Sequence, residues 1–167
     1  MNSDPLETLA ARVGDRLRER GALLVTAESC TGGWVSQVVT AIAGSSEWFE
    51  RGFVVYSNAA KEELLGVKRE TLQRHGAVSE QTALELALGA LERSRGTITV
   101  AVTGVAGPSG GSGAKPVGLV CFGWATKEGA KSESRNFAGD REAVRRQSVE
   151  HALSGVLAAL DDGFPRA

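Results

Sequence analysis

Residues 22–34, with the sequence ALLVTAESCTGGW, decide the fold of this chain. Residues 22–27 form a short apolar run of the kind that lies buried inside parallel sheets. Two glycines close the segment, and a helical pattern runs over about 34–43. The segment therefore predicts a strand, a tight turn and a helix, and the carboxyl ends of such strands are where open α/β sheets bind ligands.

The rest of the chain alternates helical and strand patterns. Early strands are separated by helices, whereas the last two strands are adjacent, so we infer a sheet covered by helices on both faces. We expect one domain over residues 1–167, a three-layer α/β/α sandwich around a mixed, mostly parallel sheet of about five strands. The other predicted elements are helices over 5–20, 57–66, 79–92 and 140–160 and strands over 52–56, 97–103, 119–126 and 132–138.

The composition excludes several classes of function. The 167 residues carry 19 Lys plus Arg and 20 Asp plus Glu, a net charge of −1, so no basic field would attract nucleic acid. No apolar run could cross a bilayer and the first ten residues lack a signal-peptide pattern, so we expect a cytoplasmic protein without a membrane partner. Two cysteines and two histidines are too few for a four-cysteine zinc site or a three-histidine metal centre, and we expect neither a metal nor another cofactor.

Ser29 is a candidate nucleophile because it follows the first strand and precedes a helix. Its hydroxyl would lie among backbone N–H groups that can hold an oxyanion or a phosphate. The alternative is that Ser29 or Thr31 only caps the helix. A nucleophilic serine needs a base, and with histidine scarce the candidate is Lys61, which follows the strand at 52–56. The alternative for Lys61 is a solvated lysine on a short helix.

Five ordered blocks of sequence carry a resemblance to a known family. The blocks are 27–33 (AESCTGG), 52–61 (GFVVYSNAAK), 64–67 (LLGV), 76–79 (GAVS) and 103–118, which begins TGVAGP and ends KPVG. Together they resemble the CinA carboxy-terminal domain family. The tail at 139–147, GDREAVRRQ, is similar to the stand-alone members of that family, which are nicotinamide mononucleotide amidases. The resemblance covers nearly the whole chain.

The resemblance implies a metal-free amidohydrolase that converts nicotinamide mononucleotide to nicotinate mononucleotide and ammonia. It implies Ser29 as the nucleophile and Lys61 as the general base, with Tyr56, Thr103 and Arg145 as polar assistants. For this chemistry the amine must be neutral, so its pKa must fall from about 10.4 toward 7. Burial and a neighbouring cation such as Arg145 would lower that pKa.

The same substrate suggests which residues bind it. Its 5′-phosphate needs N–H donors and a cation, which the turn at 31–33, the loop at 110–111 and either Arg141 or Arg145 could supply. Backbone N–H groups after Ser29, or those of the turn at Gly104, would hold the oxyanion. The expected substrate-binding residues are Cys30, Thr31, Gly32, Gly33, Asn58, Gly104, Gly110, Gly111 and Arg141.

A second class of function stays open at this stage. In a non-catalytic nucleotide-binding module the same glycine-rich loops would hold a ligand, and Ser29 would be only a helix cap. Release of ammonia separates this class from the amidohydrolase. In either case we expect a small-molecule partner and a homo-oligomer, with a dimer as the commonest form.

Overall fold

A five-stranded sheet forms the centre of the computed structural model, which describes residues 4–164. The predicted domain over 1–167 also includes 1–3 and 165–167, which lie outside the described residues. The strands are β1 (Leu24–Glu28), β2 (Phe49–Val54), β3 (Ile98–Gly104), β4 (Leu119–Thr126) and β5 (Gly129–Asn136). The helices are α1 (Pro5–Arg20), α2 (Trp34–Thr40), α3 (Asn58–Leu65), α4 (Arg69–His75), α5 (Glu80–Glu92) and α6 (Arg141–Asp162), with a 3₁₀ turn at Ser45–Glu47.

The strand order in the sheet is β2-β1-β3-β4-β5. β1 pairs parallel with both β2 and β3. β4 pairs antiparallel with both β3 and β5. Four of the five strands therefore point in one direction, which confirms the predicted mixed, mostly parallel sheet.

Helices cover both faces of the sheet. On one face α1, α2 and α6 share an apolar cluster with sheet residues such as Val102 and Phe122. On the other face α3 and α5 share a second cluster with sheet residues such as Ala27 and Ala101. The predicted three-layer α/β/α sandwich is confirmed.

Two strands begin three residues earlier than predicted. β2 starts at Phe49, which pairs with Leu24 at the start of β1. β5 starts at Gly129, because the hairpin turn closes between Thr126 and Gly129. Both strands lie at edges of the sheet, and their side chains are mostly half-buried or exposed. The apolar pattern that marks a buried strand is therefore weak at both positions.

Two helical features also differ from expectation. α2 ends at Thr40, three residues before the predicted end of its pattern, and a 3₁₀ turn follows. The sequence does not predict α4, since Thr71 is the one buried residue of its seven and the helix has no apolar stripe. Within residues 4–164, none of the helices combines the length and the apolar character needed to cross a bilayer.

Polar residues meet where β1, β2 and β3 end. Ser29 follows β1 directly, β3 ends at Gly104, and the chain after β2 passes through Tyr56 into α3. Because the three strands are parallel, these ends lie at one edge of the sheet. This edge is the expected ligand site of such a fold.

Candidate active site

Ser29 is held at the end of β1 by backbone hydrogen bonds. Its N–H donates to the carbonyl of Val102 on β3 at 2.9 Å, and its carbonyl accepts from the N–H of Gly32 at 3.1 Å. Gly32 and Gly33 have φ angles of 61° and 105°, which a residue with a Cβ adopts only under strain. The two glycines therefore let the chain turn sharply from Ser29 into α2.

Lys61 reaches Ser29 from α3. That helix begins after Ser57, whose Oγ accepts from the N–H of Ala60 at 3.0 Å. The Lys61 side chain is 1% exposed. Its Nζ donates to Ser29 Oγ at 3.0 Å and to the carbonyl oxygen of Tyr56 at 2.9 Å. The solvated alternative for Lys61 is therefore wrong, and the structure brings the two predicted residues into contact.

The surroundings of Lys61 favour its neutral form. Burial lowers the pKa of the Lys61 amine below its ordinary value. Among residues 4–164, no carboxylate lies within ion-pair distance of its Nζ. A neutral amine that contacts a hydroxyl can accept its proton, as a general base does.

Glu28 fixes the turn that carries Ser29, and sequence reasoning did not single it out. Its carboxylate is 1% exposed. One oxygen accepts from Thr31 Oγ1 at 2.7 Å and from the N–H of Val35 at 2.8 Å. The other accepts from Ser36 through its N–H at 3.0 Å and its Oγ at 2.9 Å. The available signal was a glutamate that ends an apolar strand just before a helix, where free N–H groups attract an anion.

A cavity of about 350 Å³ opens in front of the Ser29–Lys61 pair. Nine of the predicted site residues line it: Ser29, Cys30, Tyr56, Asn58, Lys61, Thr103, Gly104, Gly110 and Arg141. Five predicted residues are outside its lining: Thr31, Gly32, Gly33, Gly111 and Arg145. The lining also includes residues that sequence reasoning missed, namely Ala77, Val78, Val105, Ala106, Gly107 and Ser109.

Arg145 lies against the Ser29 turn and not in the cavity lining. Its Nε donates to the carbonyl of Cys30 and its Nη2 to the carbonyl of Thr31, both at 3.1 Å. The guanidinium also lies 5.4 Å from the centre of the Trp34 ring. Such an arrangement is a cation–π contact. The Arg145 side chain thus stabilises the turn through hydrogen bonds to the backbone carbonyls of Cys30 and Thr31.

The remaining predicted assistants take different positions. Tyr56 contacts Lys61 through its backbone carbonyl, while the residue is 62% exposed. Thr103 is buried, and its Oγ1 donates to the carbonyl of Ala77 at 2.8 Å, which ties β3 to the segment before α5. Burial raises the pKa of the Cys30 thiol to about 12, so this thiol is protonated at neutral pH and is a poor nucleophile.

A larger cavity, of about 660 Å³, lies between α5 and the β4–β5 edge. It is lined by residues such as Glu80 and Lys115, and it contains neither Ser29 nor Lys61. Lys115 Nζ donates to the carbonyl of His75 at its rim. In the part of the chain from 4 to 164, no group of three or more His, Cys, Asp or Glu side chains is placed to hold a metal ion.

The comparisons with known proteins agree with this fold. The family model for the CinA C-terminal domain matches residues 6–160, and the chain belongs to this family. The nicotinamide-nucleotide amidohydrolase PncC of Escherichia coli (strain K12) is 54% identical over 154 residues, 92% of this chain and 93% of that protein. PncC of Pseudomonas putida is 51% identical over 154 residues, 92% of this chain and 96% of that protein.

Solved structures and longer relatives extend the comparison. The crystal structure of competence/damage inducible protein CihA from Agrobacterium tumefaciens has a TM-score of 0.92 and 46% identity, covering 97% of this chain and all of that chain. A CinA-like protein of Syntrophobacter fumaroxidans is 47% identical over 156 residues, which are 93% of this chain and 37% of that protein. The same domain therefore also occurs as part of a longer protein.

Proposed function

We propose that this protein hydrolyses the carboxamide of nicotinamide mononucleotide to nicotinate mononucleotide and ammonia, with Ser29 as nucleophile and Lys61 as general base. The observation that carries the proposal is the 3.0 Å contact between Lys61 Nζ and Ser29 Oγ, made by a lysine that is 1% exposed. The substrate is suggested by the names of relatives that are 51–54% identical over 92% of this chain.

The first half of the reaction forms an acyl-enzyme. Neutral Lys61 accepts the hydroxyl proton as Ser29 Oγ attacks the carboxamide carbon, and a tetrahedral oxyanion results. The intermediate then collapses, the C–N bond breaks, and protonated Lys61 gives its proton to the departing nitrogen, which leaves as ammonia. The carbonyl of Tyr56, 2.9 Å from Nζ, keeps the amine oriented toward Ser29.

The second half of the reaction releases the acid. Water attacks the ester carbon, Lys61 accepts a proton from that water, and the proton passes to Ser29 Oγ as the ester bond breaks. The product carboxylic acid loses its proton to solvent. Each residue returns to its starting state, so the cycle needs no additional reactant.

The N–H of Cys30, directly after Ser29, is the proposed donor for the oxyanion. Within residues 4–164 it donates to no other residue, whereas the N–H of Val105, after Gly104, already donates to the carbonyl of Leu119 at 2.8 Å. One such donor contributes about 3 to 4 kcal/mol to transition-state stabilisation. Thr103 and Arg145 act as positioning residues, since each holds a backbone segment of the site.

Ammonia release is the experiment that tests this function. Purified protein is incubated with nicotinamide mononucleotide, with and without EDTA, beside the Ser29→Ala variant. The proposal predicts ammonia from the unchanged protein in both conditions and none above background from the variant. Binding of the nucleotide without ammonia would favour the non-catalytic module, and loss of activity in EDTA would overturn the metal-free mechanism.

Two further expectations belong to the same proposal. A cytoplasmic location is tested by fractionation of cells that express the protein. A homodimer is tested by light scattering on the purified protein, where the monomer mass of 17.5 kDa would contradict it.

A further inference from the structure

The cavity in front of Ser29 carries positive charge and no negative charge from the residues that line it. Its lining contains two basic side chains, Lys61, whose neutral form is favoured by burial, and Arg141, which keeps its charge, and no aspartate or glutamate. Lys61 is committed to Ser29 and to the carbonyl of Tyr56. Arg141 is therefore the cation that is free to hold an anionic ligand in this cavity.

Arg141 keeps most of its hydrogen-bonding capacity. One of its nitrogens, Nη1, donates to the carbonyl of Gly107 at 2.8 Å, which fixes the side chain beside the loop that follows β3. Within residues 4–164, no carboxylate forms an ion pair with it. By contrast, Arg146 on the same helix pairs with Asp4 at 2.6 Å. A guanidinium has five N–H donors, so Arg141 has several left for a ligand.

Arg145, the other arginine that the sequence suggested, is not in the lining of the cavity. Two of its donors bind the carbonyls of Cys30 and Thr31 in the Ser29 turn. Thr31 is fully buried, and neither Thr31 nor Gly32 nor Gly33 lines the cavity. The two arginines therefore have separate tasks.

We propose that Arg141 binds the 5′-phosphate of the substrate and makes this enzyme selective for a nucleoside monophosphate over the nucleoside. The inference rests on the proposed function, since the carboxamide must lie at Ser29 and Lys61. The phosphate then lies in the same cavity, whose lining includes Arg141 together with Ser109 and Gly110 of the loop after β3. A planar guanidinium binds two phosphate oxygens at once, which gives both charge and direction to the contact.

Kinetics with two substrates test the proposal. Hydrolysis of nicotinamide mononucleotide and of nicotinamide riboside is compared for the unchanged protein, Arg141→Ala and Arg141→Lys. The control is Arg146→Ala, which removes an arginine of the same helix that is paired with Asp4 outside the cavity. Arg141→Ala is expected to raise the KM for the mononucleotide by about 100-fold with kcat nearly unchanged, because a contact made equally in ground and transition states is lost. The KM of Arg141→Lys for the mononucleotide is expected to lie between the values for the unchanged protein and for Arg141→Ala.

The riboside separates a phosphate contact from a structural effect. If Arg141 binds the phosphate, Arg141→Ala leaves kcat/KM for the riboside within about 2-fold of the unchanged protein. Equal losses on both substrates would overturn the proposal and assign Arg141 to the support of the Gly107 loop. An unchanged KM for the mononucleotide would overturn it as well.

A binding measurement keeps this inference separate from the proposed function. Ribose 5-phosphate is titrated into the same proteins in a calorimeter, which needs no turnover. The unchanged protein and Arg146→Ala are expected to bind it, and Arg141→Ala to bind it at least about 10-fold more weakly. Equal binding to Arg141→Ala, or no binding to the unchanged protein, would overturn the Arg141 assignment even if ammonia is released. Weakened binding without any ammonia release would support the anion site and refute the amidohydrolase.

Discussion

Two buried ionisable side chains lie close to Ser29, and they differ in the number and kind of hydrogen-bond partners that surround them. Glu28 and Lys61 are each 1% exposed. The Glu28 region, made of Glu28, Thr31, Val35 and Ser36, surrounds the carboxylate with four hydrogen bonds. The Lys61 region, made of Lys61, Ser29 and Tyr56, gives the amine one hydroxyl and one carbonyl.

The difference separates a structural side chain, Glu28, from the proposed base, Lys61. A buried carboxyl group that accepts four hydrogen bonds is well satisfied, so Glu28 stabilises the turn. A buried ammonium without an anion beside it is unfavourable, and such a group lowers its pKa and becomes neutral. Glu28 thus holds the turn that carries Ser29, and Lys61 on α3 is the proposed base beside it. Four predictions test this contrast.

The largest expected effect is on turnover. Ser29→Ala and Lys61→Met should each lower kcat by at least about 10³-fold, because the nucleophile and its base act as a unit. The double variant should be no slower than Ser29→Ala alone. Initial rates of ammonia release measure this, and circular dichroism confirms that each variant is folded. A Lys61→Met variant with near-normal turnover would remove the base from the mechanism.

Glu28→Gln should produce the next largest effect, on stability. Rotating hydroxyls can adapt to the new amide group, but one backbone N–H, of Val35 or Ser36, would lose its acceptor. We expect the free energy of unfolding to fall by about 1 to 3 kcal/mol, measured by urea denaturation. The matched control is Glu63→Gln, which changes an exposed glutamate on α3. Equal effects of the two substitutions would contradict a structural role for Glu28.

Lys61→Met should not lower the free energy of unfolding, in contrast to Glu28→Gln. Methionine fills a similar volume, and it removes a polar amine whose burial without a full set of hydrogen-bond partners is unfavourable. The free energy of unfolding at neutral pH should stay the same or rise by about 1 kcal/mol, even though turnover is lost. A loss of stability like that of Glu28→Gln would mean that the amine is structural.

The smallest expected effect is a pH dependence of stability. The pKa of Lys61 is lowered by burial in the folded state and returns toward its ordinary value of 10.5 on unfolding. Between those two values the unfolded chain binds the extra proton, so stability contributed by this site increases as pH rises. Urea denaturation is measured across this pH range for both proteins. The free energy of unfolding should increase with pH in the unchanged protein, and this contribution should be absent from Lys61→Met. A slope of the opposite sign would mean that the fold stabilises the ammonium.

Much of the architecture was accessible from the sequence, because buried strands and capped helices leave strong local patterns. The run before Glu28 predicted β1, and the prediction for β4 matched its bounds, since both strands are buried. The edge strands and α4 have weak apolar patterns and were misplaced or missed. The local sequence does not indicate which strands lie at the edges of the sheet.

The candidate site was predicted less evenly. Ser29 and Lys61 are found because they follow strands whose ends must meet, and the structure places them in contact. The sequence does not separate the roles of Arg141 and Arg145. The two residues are four positions apart on one predicted helix, so both are expected near the same edge of the sheet. The burial of Glu28 and its four partners depends on how α2 meets β1, which only the folded chain reveals.

The pKa of Lys61 in the resting enzyme tests the central claim most directly. The chain has five lysines, so lysine labelled with ¹³C at Cε gives few signals, and the signal that Lys61→Met lacks identifies the residue. The account predicts that Lys61 titrates at clearly lower pH than the other four lysines, and that kcat/KM rises with pH along the same curve. Titration of Lys61 at the ordinary pKa of a lysine, about 10.4, would contradict the account, because the amine would then be charged when Ser29 has to lose its proton.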